Sequence, residues 1–155
     1  MRRIYSPLLF FFKNRSYVLG YASMTFPDIH ISFCTIAALN SRSLCYRVCR
    51  ACEAPVPDYI HGPMVCISCG ARLSENGTQM LYRLQLSIAT EDKVFPVVAF
   101  DRAARSLMGC SADEFYHFAS CNPCAVENVS KVLLGEMVEL MLRPPKSGRA
   151  QHMRV

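Results

Sequence analysis

Residues 49–70 carry the pattern with the most chemistry in it. Cys49-Arg-Ala-Cys52 is followed, after thirteen residues, by Cys66-Ile-Ser-Cys69-Gly70. Two-residue spacers let each pair of thiolates grip one ion from a tight turn, and a tetrahedral zinc ion takes four such sulfurs at about 2.3 Å. The spacing is slightly shorter than the common ribbon pattern. Gly70 follows the last sulfur, where the backbone of such a turn often needs a positive φ. Cys49, Cys52, Cys66 and Cys69 are therefore the expected metal ligands, with zinc as the default cofactor. An iron centre of rubredoxin type uses the same four sulfurs. Two disulfides would need an oxidising compartment, and a thioredoxin-like dithiol would need a single motif at a helix start. Because four thiolates complete a tetrahedron, His61 between the knuckles reads as a loop histidine.

The remaining thiols fit no second set. Cys121-Asn-Pro-Cys124 is a third CxxC without a matching pair, and Cys34, Cys45 and Cys110 are scattered. They read as ordinary thiols of a reducing compartment. Catalysis finds no support either. A zinc deaminase would need His-x-Glu ahead of its CxxC and an open coordination position. The chain has no such motif, no P-loop and no dinucleotide fingerprint, so it is expected not to be an enzyme.

The elements that hold the knuckles read as one β-rich domain. At 155 residues and 52% hydrophobic composition the chain suits a single folded unit. Its net charge of +5 is concentrated early: residues 1–41 carry Arg2, Arg3, Lys13 and Arg15 against Asp28, leaving only +2 for the rest. A nucleic-acid surface would thus have to come from local clustering. Pro7-Leu-Leu-Phe-Phe-Phe12 imitates a signal peptide but is interrupted by Lys13 and Arg15 and is too short to span a membrane. Residues 1–30 are expected to be an ill-defined extension, and residues 31–155 the domain.

Within that domain an apolar run from Ile31 to Leu39 reads as a strand, and Leu44 to Val48 leads into the first knuckle. From Met80 to Thr90, Met80, Tyr82, Leu84, Leu86 and Ile88 alternate with more polar neighbours, the period of a strand with one buried face. Glu91-Asp-Lys93 then turns into Val94–Phe100, where Pro96 implies an edge or a bulge. Three helices follow: one capped by Asp101, one opened by the capping box Ser111-Ala-Asp-Glu114 with Phe115, Phe118 and Ala119 inward, and one starting at Asn122-Pro123 with Val126, Val129, Val132 and Leu133 at core spacing. Glu136–Arg143 returns to strand pattern, Pro144 to Gly148 forms a turn, and Gln151–Val155 starts a last strand. This order fits a five-stranded Greek-key barrel with the metal loop inserted and two or three short helices between the third and fourth strands.

Tyr46-Arg-Val-Cys-Arg-Ala-Cys52, Cys66-Ile-Ser-Cys69, Tyr82-Arg-Leu-Gln-Leu-Ser-Ile88, Val97-Val-Ala-Phe-Asp101 and Ala104-Arg-Ser-Leu-Met-Gly109 with Ser111-Ala-Asp-Glu114 resemble the C-terminal domain of replication protein A large subunits. Plant and Helitron-associated members are the nearest in flavour. The resemblance spans residues 31–155 and implies a zinc-ribbon OB-fold that binds single-stranded DNA in the nucleus, in replication, repair or recombination, without catalysis. The family's last strand is normally longer and leads into a helix used for assembly with two smaller subunits. This chain ends at Val155, so assembly with such subunits is in doubt and a truncated copy is an expectation.

Arg83 and Gln85 lie on the polar face of the long strand, and Arg47, Arg50 and Arg72 flank the metal loop. These five are the expected nucleic-acid contacts, Arg83 first. Tyr59, Phe95 and Phe100 are aromatic candidates for base stacking, though such residues in apolar strands commonly belong to the core. Arg102 and Arg105 read as surface charges. The alternative is a protein interaction module that has lost DNA binding, which the near-neutral domain charge favours.

Overall fold

The computed structural model describes residues 2–4, 29–57, 64–142 and 153–155. Tyr59, His61, the Pro144–Gly148 turn and most of the N-terminal extension lie outside the described residues.

One strand organises the rest. Strand β6 (Thr78–Ala89) buries Met80, Tyr82, Leu84, Leu86 and Ile88 on one face, the alternation that its sequence implies. Along one edge its first half pairs antiparallel with β3 (Cys45–Cys49), and its second half with β2 (Ile29–Leu39). Along the other edge, residues 83–89 pair with β7 (Val94–Phe100) in the expected hairpin. Strand β2 then crosses to β8 (Met137–Leu142), shifting register between Ile31 and Cys34, where Phe33 adopts φ 57° and points into solvent. Strand β9 (Met153–Arg154) pairs parallel with β7 at Val97 and Val98, so the β7 edge at Pro96 meets no described strand. Strands β2, β6, β7, β8 and β9 make the five-stranded OB-fold barrel, and β1 (Arg2–Ile4) adds a parallel pairing outside β8.

Helices α1 (Asp101–Met108), α2 (Ala112–Cys121) and α3 (Ala125–Leu133) connect β7 to β8, the third and fourth barrel strands. Their ends differ in part from the sequence expectation. The capping box is present: Ser111 Oγ accepts the Glu114 backbone N–H, and the Glu114 carboxylate accepts the Ser111 N–H at 2.7 Å. Asp101, by contrast, is not the cap of α1. The helix begins at Asp101 itself, with Phe100 as N-cap, and the carboxylate is drawn into tertiary contacts with the Tyr82 backbone N–H at 3.3 Å and Arg105 Nε at 2.8 Å. Helix α3 starts at Ala125 rather than at Asn122-Pro123, because the N–H of Ala125 closes a turn onto the Asn122 carbonyl. Leu133 is buried, but Phe118 and Val132, expected in the core, are exposed: the stripe of each helix that meets the barrel is narrower than its apolar sequence.

The core fills the barrel against the buried face of β6. Ile36, Leu84, Ile88, Val97, Val138, Leu140 and Leu142 meet inside, and Ala103, Leu107 and Phe115 cover the open end. A second, small cluster of Cys49, Cys66 and Leu73 lies under the metal loop.

Candidate functional site

The two knuckles are built alike. In the first, the Glu53 N–H returns to the Cys49 carbonyl at 2.8 Å and the Cys49 N–H reaches the Ala54 carbonyl at 2.9 Å. In the second, the Gly70 N–H returns to the Cys66 carbonyl at 2.7 Å and the Cys66 N–H reaches the Ala71 carbonyl at 2.8 Å. Both turns need left-handed backbone one residue past the second cysteine, which Gly70 supplies at φ 73° and Glu53 at φ 57°. Gly70 fills that role without a Cβ penalty; Glu53 is the less expected occupant.

These turns bring four sulfurs together. All four Sγ atoms lie within 4.8 Å of one another, with Cys49 to Cys69 at 3.7 Å and Cys52 to Cys66 at 3.6 Å. Metal–sulfur arms of about 2.3 Å place tetrahedral corners about 3.8 Å apart, so the set fits one ion. The sulfurs also perturb one another's protonation. Backbone N–H donation, first from Cys69, pulls the Cys66 thiol down to about 6. For Cys52 the strongest influence, the Ala54 N–H, also favours the thiolate, yet desolvation and the sulfurs of Cys69, Cys66 and Cys49 outweigh it and push the group up to about 12. Four thiolates at this separation repel one another, and a divalent cation is what lets all of them ionise.

A strand pairing of β3 (Cys45–Cys49) with β6 ties this centre to the barrel, and paired residues share a face. Tyr46 stands opposite Leu81, Arg83 opposite Phe100 and Gln85 opposite Val98, so all three project to the outer side of the sheet. Arg154, paired with Val98, lays its guanidinium 4.9 Å from the Phe100 ring centroid. Burial and then the Asp101 carboxylate raise the Tyr46 hydroxyl, while the charges of Arg83 and Arg154 act against them. Asn40 closes the patch, its Nδ2 donating to Gln85 Oε1 at 2.8 Å. The patch thus combines two guanidinium groups, two partly exposed aromatic rings and two amides.

The five expected contacts do not share one surface. Arg83 and Gln85 sit in the patch. Arg47 pairs opposite Met80 and so projects from the other face of β3, where its Nη1 donates to Thr78 Oγ1 at 3.3 Å and its guanidinium lies over Tyr116. Arg50 donates to the Thr78 carbonyl at 3.2 Å from Nη2, beside the metal loop, and Arg72 is exposed on the β4 (Met64–Val65) and β5 (Arg72–Leu73) hairpin. Of the three aromatic residues expected to stack bases, Phe95 is buried and Tyr59 lies outside the described residues, which leaves Phe100.

The replication factor-A C-terminal domain model matches residues 30–147. The chain belongs to that family. A solved replication protein A heterotrimer bound to single-stranded DNA shares its fold at TM-score 0.66 and 15% identity, the match covering 82% of this chain and 30% of that one. Yeast RPA bound to single-stranded DNA gives TM-score 0.67 and 18% identity over 90% of this chain and 80% of that one. No curated protein matches.

Within this replication factor-A C-terminal domain, sequence reasoning missed Tyr46, Asn40 and Arg154 as members of the patch. Period two marks the outward residues of β6, but which residues of β2, β3 and β9 stand beside them depends on long-range register, which no local pattern carries.

Proposed function

We propose that the chain binds single-stranded DNA on the outer face of β6 and β7, with a zinc ion in the Cys49, Cys52, Cys66 and Cys69 centre holding the adjacent loop in place. The observation that carries this reading is the juxtaposition of Arg83, Phe100 and Arg154 on one open sheet face, with Gln85, Asn40 and Tyr46 at its border. OB-folds use this face for oligonucleotides, stacking bases on aromatic rings while cations follow the phosphates. Phe100 is the stacking platform, Arg83 and Arg154 neutralise phosphate, and the Gln85 and Asn40 amides contact bases. Arg50 and Arg72 extend the basic track along the ribbon, and Arg47 positions the ribbon against α2 (Ala112–Cys121). The role is one of binding without catalysis, in DNA replication, repair or recombination in the nucleus, alongside other replication protein A-like subunits. The DNA-bound state of both structural neighbours supports it.

The test is mutational. Arg83→Ala is expected to weaken oligo-dT binding and reduce the salt slope by about 1, because one fewer counterion is released. Affinity and slope equal to those of the unmodified chain would remove Arg83 from the interface. Absence of oligo-dT binding at every salt concentration would favour a protein interaction module.

A further inference from the structure

The turn between β2 and β3 belongs to two surfaces. Asn40 faces the outer patch through Gln85, and its Oδ1 accepts the Arg42 backbone N–H at 3.1 Å. Immediately beyond it, Ser41, Arg42 and Ser43 form one wall of a cleft of about 360 Å³, with Tyr116 and Ser120 of α2 on the other. Among the described residues, no carboxylate lines this cleft. The α2 acids nearest in sequence are committed elsewhere, Asp113 to the Met80 N–H and Glu114 to Ser111. Tyr116 is 42% exposed, and the Arg47 guanidinium lies over its ring at 5.9 Å. Arg47 Nε is buried and has no hydrogen-bond partner among the described residues, so this corner holds a donor that lacks an acceptor.

A guanidinium on a turn, a partly exposed aromatic ring and hydroxyls in a cleft whose described lining holds no acid match a nucleotide unit: phosphate for the cation, base for the ring. We propose that this cleft takes a further segment of the same single strand. DNA leaving the outer patch at Gln85 and Asn40 rounds the β2–β3 turn, places a phosphate beside Arg42 and stacks a base on Tyr116. The path is continuous, because the hydrogen-bonded series Gln85, Asn40, Arg42 joins the two surfaces. This inference rests on the outer-face reading and extends it to the opposite side of β3.

The test compares a short oligo-dT of about 8 nucleotides with a long one of about 24, within and beyond the footprint of one OB-fold. The zinc-loaded full chain is measured alongside Tyr116→Ala, Tyr116→Phe, Arg42→Ala and Arg83→Ala. Tyr116→Ala and Arg42→Ala are each expected to weaken the long strand about tenfold and leave the short strand unchanged, while Tyr116→Phe retains both. Arg83→Ala weakens both strands. A long strand carrying 5-iodouracil is expected to crosslink to Tyr116, and free thymidine monophosphate should not compete. Unchanged long-strand affinity in Tyr116→Ala and Arg42→Ala, with short-strand binding intact, overturns the cleft alone. Loss of short-strand binding in the unmodified chain overturns the outer face as well, and competition by the free nucleotide replaces the strand path with a mononucleotide site.

Discussion

The Asp113 carboxylate accepts the Met80 backbone N–H at 2.9 Å. Strand β6 runs past the end of β7, and its edge there would leave N–H groups unpaired. Asp113 from α2 and Asp101 from α1 (Asp101–Met108) stand in for the missing strand at Met80 and Tyr82. The half of β6 that carries β3 and the metal loop is held on this side by two side chains.

Asp113→Ala is accordingly expected to lower unfolding free energy by about 1–3 kcal/mol, since it strands a donor near the core. Asp113→Asn keeps an acceptor oxygen and should cost less. Urea unfolding checks both, and equal midpoints for Asp113→Ala and the unmodified chain would show that water serves Met80 as well.

The capping box gives a pH dependence. Hydrogen bonds from the Ser111 hydroxyl and then its backbone N–H hold the Glu114 carboxyl below the usual glutamate range. A group whose folded value is depressed contributes stability above its unfolded pKa and loses it as pH falls through the folded value. The stability difference between the unmodified chain and Glu114→Gln should therefore be present near neutral pH and shrink on acidification below the ordinary glutamate range. A difference that grows on acidification would reverse the sign of the argument.

Gly77 is a steric requirement. A Cβ there would lie 2.2 Å from the Arg72 carbonyl oxygen, a backbone atom that cannot swing aside. Gly77 ends the 3-10 turn Glu75–Gly77 and its carbonyl accepts the Arg50 N–H at 3.0 Å, so it locks the second knuckle to the first. Gly77→Ala is expected to cost about 1–3 kcal/mol and to weaken metal retention under chelator challenge. Unchanged retention would show that the β5 turn yields freely.

Metal binding and folding should be coupled at the ribbon. Among the described residues the cluster beneath it buries Cys49, Cys66 and Leu73, with Ala54, Val56, Met64 and Ala71 partly buried against them, a small apolar surface for holding the loop unaided. Stripping the ion with a chelator, or making Cys49→Ser or Cys66→Ser, is expected to drop zinc from one per chain to none and increase hydrogen exchange in residues 49–57 and 64–77, with the barrel strands retained. Exchange that is the same with and without metal would separate the ion from the fold.

Much of this was legible in the residues because the signals are local. Two CxxC turns and Gly70 define the metal loop, alternation from Met80 to Ile88 defines the buried face of the central strand, and Ser111 with Glu114 defines a helix start. What was not legible depends on partners distant in sequence. Asp101 has the local character of a cap, but the unpaired Tyr82 N–H and Arg105 compete for it and win. Arg47, flanking the metal loop, and Arg83, on the polar face of the long strand, are both expected nucleic-acid contacts, yet the β3–β6 register sends them to opposite faces. Phe118 and Val132 keep helical spacing with core residues and still face solvent, because the barrel contacts only one edge of each helix.

The most direct measurement is equilibrium binding of the zinc-loaded chain to oligo-dT, followed across a salt titration with Phe100→Ala and Arg83→Ala in parallel. Saturable binding is expected to weaken linearly in log salt. Loss of the ring should cost about 1–3 kcal/mol, and loss of the guanidinium should flatten the salt slope. No binding at low salt, or binding untouched by both substitutions, would contradict the claim that this open sheet face grips unpaired DNA.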